Sequence, residues 1–406
     1  MALHSHPQAE EMRKLAGFTF ALTYNRLADF NTTEVYRDKY GYNSLLDYFC
    51  MPDIATDIFS GDYAYRAGLI YDTFTENGST TNFTHNVWEL PYGDGQLDPI
   101  AREDVNGIGL VDHAQKIKKR GSKNELAFAT AWNIQNKFFI GASMGIQSLK
   151  YKEKKTHKEE YFGVPLNETT HTFTYITNLR QNGTGINFKL GAVFQPIKYV
   201  AVGLSLHTPT FYAIDEEYYA IITRAWSPDK FMPRETSKYN YKYRSPGRFV
   251  ASLAGFIGQY GIISFDYERS NYGKSVFKPK DDEIDDIFYD TNNMIEDIMA
   301  KTNSIRIGAE AKITSQLSVR AGFKHMSSPT KDEYHYAYKN KYRALSGGVG
   351  YRLNFFYVDL AYVNSQQENE HWVLPDMGDQ YIYEPNNPAS LKSTNHNVIL
   401  TAGIRF

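Results

Sequence analysis

The chain closes on Val398-Ile399-Leu400-Thr401-Ala402-Gly403-Ile404-Arg405-Phe406. Val398, Leu400, Ala402, Ile404 and Phe406 share one parity. Thr401, Gly403 and Arg405 share the other, and Ile399 alone departs from the rule. Successive side chains of a strand point to opposite faces, so this stretch has one greasy face and one polar or tiny face. With its aromatic last residue it reads as the closing strand of a membrane-spanning β-barrel. The same parity test can be carried back along the chain.

Phe356, Val358, Leu360 and Tyr362 alternate with Tyr357, Asp359 and Ala361. Leu317, Val319, Ala321 and Phe323 alternate with Ser318, Arg320, Gly322 and Lys324. Ile305, Ile307, Ala309 and Ala311 oppose Arg306, Gly308, Glu310 and Lys312. Similar alternations run from Phe18 to Thr23, Glu125 to Trp132, Phe138 to Gln147, Ile186 to Phe194, Val200 to His207, Phe249 to Gly255, Ile263 to Glu268 and Leu345 to Arg352. About twelve strands result, joined alternately by short turns and long connections. The predicted fold is therefore all-β, an antiparallel up-and-down transmembrane barrel with short helices in its extracellular loops.

A soluble β-sandwich would put its charges on the wet face and aliphatics in a shared core. Here the face opposite the apolar one carries Gly, Ala and Ser with isolated charges, which suits a narrow polar lumen. Arg or Lys on the lipid face costs about 2–4 kcal/mol at mid-bilayer. Asp266, Arg306, Glu310, Arg320, Lys324, Arg352, Asp359 and Arg405 are accordingly predicted to form a charge network in the lumen. Phe138, Ile140, Val202, Leu204, Ile307, Val319, Val358 and Leu400 are predicted to face lipid.

Composition agrees. The 406 residues carry a formal net charge of -2, so no global field argues for nucleic acid. Mean hydropathy is -0.50 and no apolar run reaches the roughly 18 residues of a transmembrane helix. The 32 Tyr and 25 Phe suit aromatic girdles at the two interfaces of a membrane. Cys50 is the only cysteine, which rules out a disulfide framework within the chain. The opening Met1-Ala2-Leu3-His4-Ser5-His6 lacks the apolar core of a signal peptide, so a mature or shortened front end is expected. His4 and His6 could grip a metal only weakly, and no catalytic or phosphate-cradling motif is found. No cofactor, metal or enzymatic activity is expected.

Residues 1–15 are expected to be a periplasmic segment and 16–406 a single barrel domain. Residues 28–121 form the longest connection, an expected extracellular loop with helices. Within it Leu45, Leu46, Tyr48, Phe49, Ile54, Ile58 and Phe59 are predicted to gather as an apolar patch that captures a hydrophobic ligand or packs on neighbouring loops. A second extracellular loop, 273–301, should hold a helix over 281–300 whose first turn is crowded by Asp281, Asp282, Glu283, Asp285 and Asp286. The run Lys152 to Glu160 reads as a solvated loop tip. Asn182-Gly183-Thr184-Gly185 places two glycines inside an over-long strand and predicts a kink.

Several of these segments resemble a known family. Gly183 to Ala192, Leu206-His207-Thr208-Pro209-Thr210-Phe211-Tyr212, Ile263 to Glu268, Ile305 to Glu310 and Val398 to Phe406 look like the FadL/TodX outer-membrane transporters, in their Bacteroidetes form. The resemblance runs over 16–406. It implies a 14-stranded barrel in the bacterial outer membrane, with its carboxyl terminus in the periplasm. It also implies passive uptake of long-chain fatty acids or other hydrophobic molecules. The family's amino-terminal hatch, with its Asn-Pro-Ala motif, and about two leading strands have no counterpart here. Expected partners are membrane lipids or lipopolysaccharide, a hydrophobic small-molecule ligand and the barrel assembly machinery, for a monomer. A structural or partner-binding barrel and a haemin receptor are the competing readings.

Overall fold

The computed structural model describes residues 2–5, 15–41, 45, 110–162, 171–224, 236–280, 287–331, 341–371, 373–374 and 389–404. These build a single antiparallel sheet of 17 strands. The first are β1 (Ala2–Ser5), β2 (Leu15–Asp29), β3 (Thr32–Gly41), β4 (Leu110–Ile134), β5 (Phe138–Phe162) and β6 (His171–Ile197). Then come β7 (Val200–His207), β8 (Phe211–Arg224), β9 (Ser237–Arg244), β10 (Arg248–Ile257), β11 (Gly261–Asn271) and β12 (Val276–Pro279). The sheet continues with β13 (Lys301–Lys312), β14 (Leu317–Met326), β15 (Lys341–Arg352), β16 (Phe356–His371) and β17 (Ala389–Ile404), and one helix, α1 (Tyr289–Ile298), precedes β13.

Several strands are halves of one interrupted stave. β2 and β3 both pair with β4, either side of Phe30–Asn31. β7 and β8 both pair with β6, β10 and β9 continue beside them, and β11 with β12 beside those. The first break is matched by Gly121 at φ +129, where a Cβ would sit 2.0 Å from the Lys150 carbonyl oxygen. The second falls on Pro209, which has no N–H for the ladder. Thr208 bridges that gap, its backbone N donating to Phe188 O at 2.9 Å and its Oγ1 accepting from Phe188 N at 2.9 Å. Counted as staves, the described residues give thirteen: the twelve that the alternation predicts and the short β1, which pairs with β2 and which the alternation did not reveal.

The short turns follow local chemistry. Gln135 and Asn136 have φ of 54° and 55°, the left-handed pair that a tight hairpin needs, and Asn133 Oδ1 accepts from Asn136 N at 2.9 Å. At the opposite rim the sheet curls on itself. The His371 ring, at the end of β16, stacks on Tyr36 of β3 with centroids 4.1 Å apart, and its Nε2 donates to Gln115 Oε1 of β4 at 2.5 Å.

Its polarity is inverted relative to a soluble protein. Exposed positions along the outward face include Phe138, Ile140, Leu190, Leu204, Leu253, Ile263, Ile307, Leu345, Leu360 and Leu400. Glu125, Gln147, Asn187, His113, His157 and Glu159 are buried on the other face. Solvent-facing aliphatics in continuous rows over a buried polar interior are what a lipid-contacting wall requires.

Four expectations change. The connection 28–121 is shorter, because 32–41 and 110–121 are strand. Lys152 to Glu160 is not a loop tip but lies in β5. Both segments sit above the apolar rows, where neither face needs to be greasy, so alternation could not reveal them. The expected loop 273–301 holds β12 as well as α1, and α1 starts only at Tyr289; the acidic run 281–286 lies outside the described residues. The segment 1–15 is not separate from the sheet, since β1 pairs with β2 from Ala2↔Ala21 to Ser5↔Phe18 and Leu15 opens β2.

Candidate functional site: the inner face of the wall

On β4 to β8 the inner face is a polar cluster centred on Glu125. Its carboxylate accepts from Lys189 Nζ at 2.5 Å, Gln147 Nε2 at 2.7 Å and Asn187 Nδ2 at 3.2 Å. Tyr212 donates its hydroxyl to Gln147 Oε1, and Asn187 Nδ2 also reaches Thr210 Oγ1 at 3.3 Å. The neighbouring glycines make room. A Cβ on Gly145 would lie 2.8 Å from Glu125 Oε2, and one on Gly185 would lie 2.5 Å from the Tyr212 ring.

That packing also overturns the expected kink. Asn182, Gly183, Thr184 and Gly185 pair without interruption with Lys150, Leu149, Ser148 and Gln147 on one side. On the other side they meet Asp215, Ile214, Ala213 and Tyr212 with equal regularity. The glycines serve side-chain clearance, and the break in this region falls on the next stave, at Pro209.

The expected charge network divides into separate clusters: Arg320 alone spans two ladders, over Gly350, and the other pairs join adjacent strands. Arg320 is held between Glu310, at 2.7 Å, and Asp359, at 2.5 Å. Gly350 lies beneath Asp359, and a Cβ there would come within 2.3 Å of its Oδ1. Arg306 pairs instead with Glu268, which Arg248 also approaches at 3.5 Å. Lys324 stands opposite Arg306 with its Nζ 5.0 Å from the Tyr342 ring centroid. Asp266 and Arg352 share the face by parity but join no ion pair among the described residues, and Arg405 lies outside them.

Toward the long connections the inner face turns aromatic. Tyr212, Ile214 and Tyr241 are buried together, with Leu149, Tyr243, Phe277 and Phe288 packed on them. Ring centroids of Tyr243 and Phe277 are 4.8 Å apart, and Phe288 lies 5.6 Å from Tyr241. α1 is fastened over this cluster by Asn292, whose Oδ1 accepts from Phe277 N at 2.8 Å and whose Nδ2 donates to Phe277 O at 2.9 Å. Of the predicted capture patch, Leu45 is buried, and its backbone N donates to Glu159 Oε1 at 2.7 Å. Leu46, Tyr48, Phe49, Ile54, Ile58 and Phe59 lie outside the described residues.

Glu159 is the centre of a further buried knot well beyond the apolar rows. His157 Nε2 lies 2.8 Å and His113 Nδ1 3.3 Å from its Oε1. Burial raises the Glu159 pKa, but hydrogen bonds from His113 and His157 and their charge outweigh it and hold the carboxyl well below its usual range. These three residues form a candidate metal-holding group, with donor atoms all within 4.8 Å of one another. Gln115 Nε2 is 3.4 Å from His157 Nδ1 and donates to Val373 O at 2.9 Å. Gln115 Nε2 thus faces the Nδ1 side of His157, and His157 Nε2 faces Glu159.

No family model and no curated protein matches the chain. Solved structures with similarity include a Pseudomonas aeruginosa FadL homologue, at 13% identity over 72% of this chain and 74% of that one, with a TM-score of 0.45. The P. putida toluene transporter TodX is similar at 11% identity over 96% of this chain and 78% of that one, with a TM-score of 0.47. The CymD monoaromatic hydrocarbon channel is similar at 15% identity over 72% and 80%, with a TM-score of 0.42.

Proposed function

We propose that this chain is an outer-membrane barrel that passes hydrophobic small molecules, long-chain fatty acids foremost, across the membrane without energy coupling. The observation that carries the proposal is the aromatic cluster of Tyr212, Tyr241, Tyr243, Phe277 and Phe288. It lies on the inner face at the long-connection rim of a wall whose outer face is apolar. A greasy molecule captured there leaves water at the entrance to the interior. Short turns face the periplasm in such barrels and long connections face outward, so on this reading the carboxyl terminus is periplasmic.

Titration with a fluorescent fatty acid tests this reading. Tyr241→Asp and Phe277→Asp should each weaken binding at least tenfold, whereas an exposed change such as Lys198→Gln at the opposite rim should leave it unchanged. Equal affinity in all three would remove the capture site. The Glu310–Arg320–Asp359 cluster favours a second reading, a partner-binding barrel, because salt-bridged side chains across an inner face obstruct passage. Liposome uptake that stays at background while the protein is folded would decide for that reading.

A further inference from the structure

On β4, β5 and β6 the outward face changes character at one level. Leu126, Ile146 and Ile186 lie opposite one another across the two ladders and form the last apolar row. Next toward the long connections comes the uncharged row Asn124–Ser148–Thr184. Cations follow: Lys150 between Ser122 and Asn182, then Arg120–Lys152–Arg180, then Lys118–Lys154 beside Asn178. Lys116 adds one more on β4, and all of these cations are exposed.

The cations are poorly compensated. Arg180 approaches Glu217 at 3.7 Å, and Lys158, further along, approaches Glu160 at 3.7 Å. Lys116, Lys118, Arg120, Lys150, Lys152 and Lys154 have no acidic partner among the described residues. Like charges directly opposite on a ladder are destabilising, yet Lys118 faces Lys154, and Arg120 faces Lys152, which faces Arg180. On β8 the same rows run on to Asp215 and Glu217, but across β4 and β5 the stacked cations face only one another and solvent, a surface suited to an anion lying across them.

Height identifies the anion. Lys150 to Lys154 stand four to eight residues beyond Ile146 on the same strand. At about 3.3 Å per residue and a tilt of about 40°, that is roughly 10–20 Å above the apolar edge. The headgroup layer of an ordinary bilayer adds only about 5–8 Å per side to the hydrocarbon core. The cations therefore reach phosphates carried above that layer, on sugars. We propose that this basic wall binds the phosphorylated sugar headgroup of an outer-leaflet glycolipid, while the apolar rows below it hold the acyl chains. Arg120 supplies a planar fork that fits phosphate oxygens, and the lysines supply compact charge. The inference rests on the outer-membrane reading above, with the long connections facing outward.

The test compares the wild-type chain with one carrying Lys118→Gln, Arg120→Gln, Lys152→Gln and Lys154→Gln together. A control carries Lys137→Gln and Lys198→Gln at the opposite rim. Thermal midpoints are measured in detergent micelles alone and with bisphosphorylated lipid A, dephosphorylated lipid A or inorganic phosphate. Lipid A should raise the midpoint of wild type and control but not of the quadruple variant, with retained lipid falling at least tenfold in that variant and with added salt. Without lipid the quadruple variant should be the more stable, because mutual repulsion has been removed; a merely structural role for these side chains predicts the reverse. Equal stabilisation by dephosphorylated lipid A, or by inorganic phosphate alone, would overturn the assignment. So would an unchanged response in the quadruple variant. Fluorescent fatty-acid binding on the same samples separates the two readings: if it persists while lipid A has no effect, only the glycolipid site fails.

Discussion

Single residues show where physical chemistry acts through clearance and charge. Gly145 and Gly185 are needed where Glu125, Asn187 and Tyr212 converge, since a Cβ at either would press on those groups at under 3 Å. Gly145→Ala is expected to lower stability by about 1–3 kcal/mol, as overpacking does. Urea unfolding in lipid vesicles would measure this, and a variant as stable as wild type would count against the packed polar cluster. His371 gives a pH window. Burial on Tyr36, reinforced by Lys155 and Lys119, lowers its pKa to about 4. Its unfolded form takes up a proton at higher pH than its folded form, so its contribution is complete above about 6.5 and declines as pH falls toward 4. Amide protection factors around Tyr36 and Gln115, which are corrected for the intrinsic pH dependence of exchange, should fall through that window in wild type and much less in His371→Asn. Identical profiles would show that the stack does not hold the rim together.

Among the elements, the lower halves of the staves were legible in the sequence and the upper halves were not. Ile305 to Lys312 alternates because one face meets an apolar medium and the other a polar interior. In β13 the even positions are the less exposed ones over 301–304 and 307–310, with Ile305 and Arg306 alike half-buried between them. Past the apolar rows that constraint lapses. Lys150 to Glu160 carries charge on both faces, so its strand character came only from pairing with β4 and β6. Glu125 and Gln147 could be placed on the inner face by parity, but their meeting with Asn187 and Tyr212 depended on register across four strands. His113, His157 and Glu159 were missed for the same reason. The parity makes a direct prediction. Leu204→Arg places a cation on the lipid face and should cost about 2–4 kcal/mol of insertion free energy if it lies near mid-bilayer. Gly203→Arg, one residue away, points inward and should leave insertion intact while crowding Ser252 and Val193. Folding yields in liposomes would compare them, and equal tolerance would reject the register.

For the whole molecule, the outer wall, the inner polar clusters and the aromatic rim have to work together if a greasy molecule is to pass. Capture at the rim by Tyr241, Phe277 and their neighbours would be governed by apolar area, since these side chains offer rings and only a few hydroxyls. Each buried methylene contributes about 0.8 kcal/mol, which is roughly a fourfold gain in affinity per carbon. Affinity for a homologous series of saturated fatty acids should therefore climb steeply with chain length until the cluster is filled, then level off. Added salt should change it little, because burial of apolar surface is not screened as separated charges are. A scaffold using the same surface for a protein partner has no reason to grade fatty acids by length. Isothermal titration with acids of eight to eighteen carbons at low and high salt separates the two. Affinity independent of length would move the assignment to the partner-binding barrel, whereas a steep rise that is lost in Phe277→Asp would fix capture on the aromatic rim.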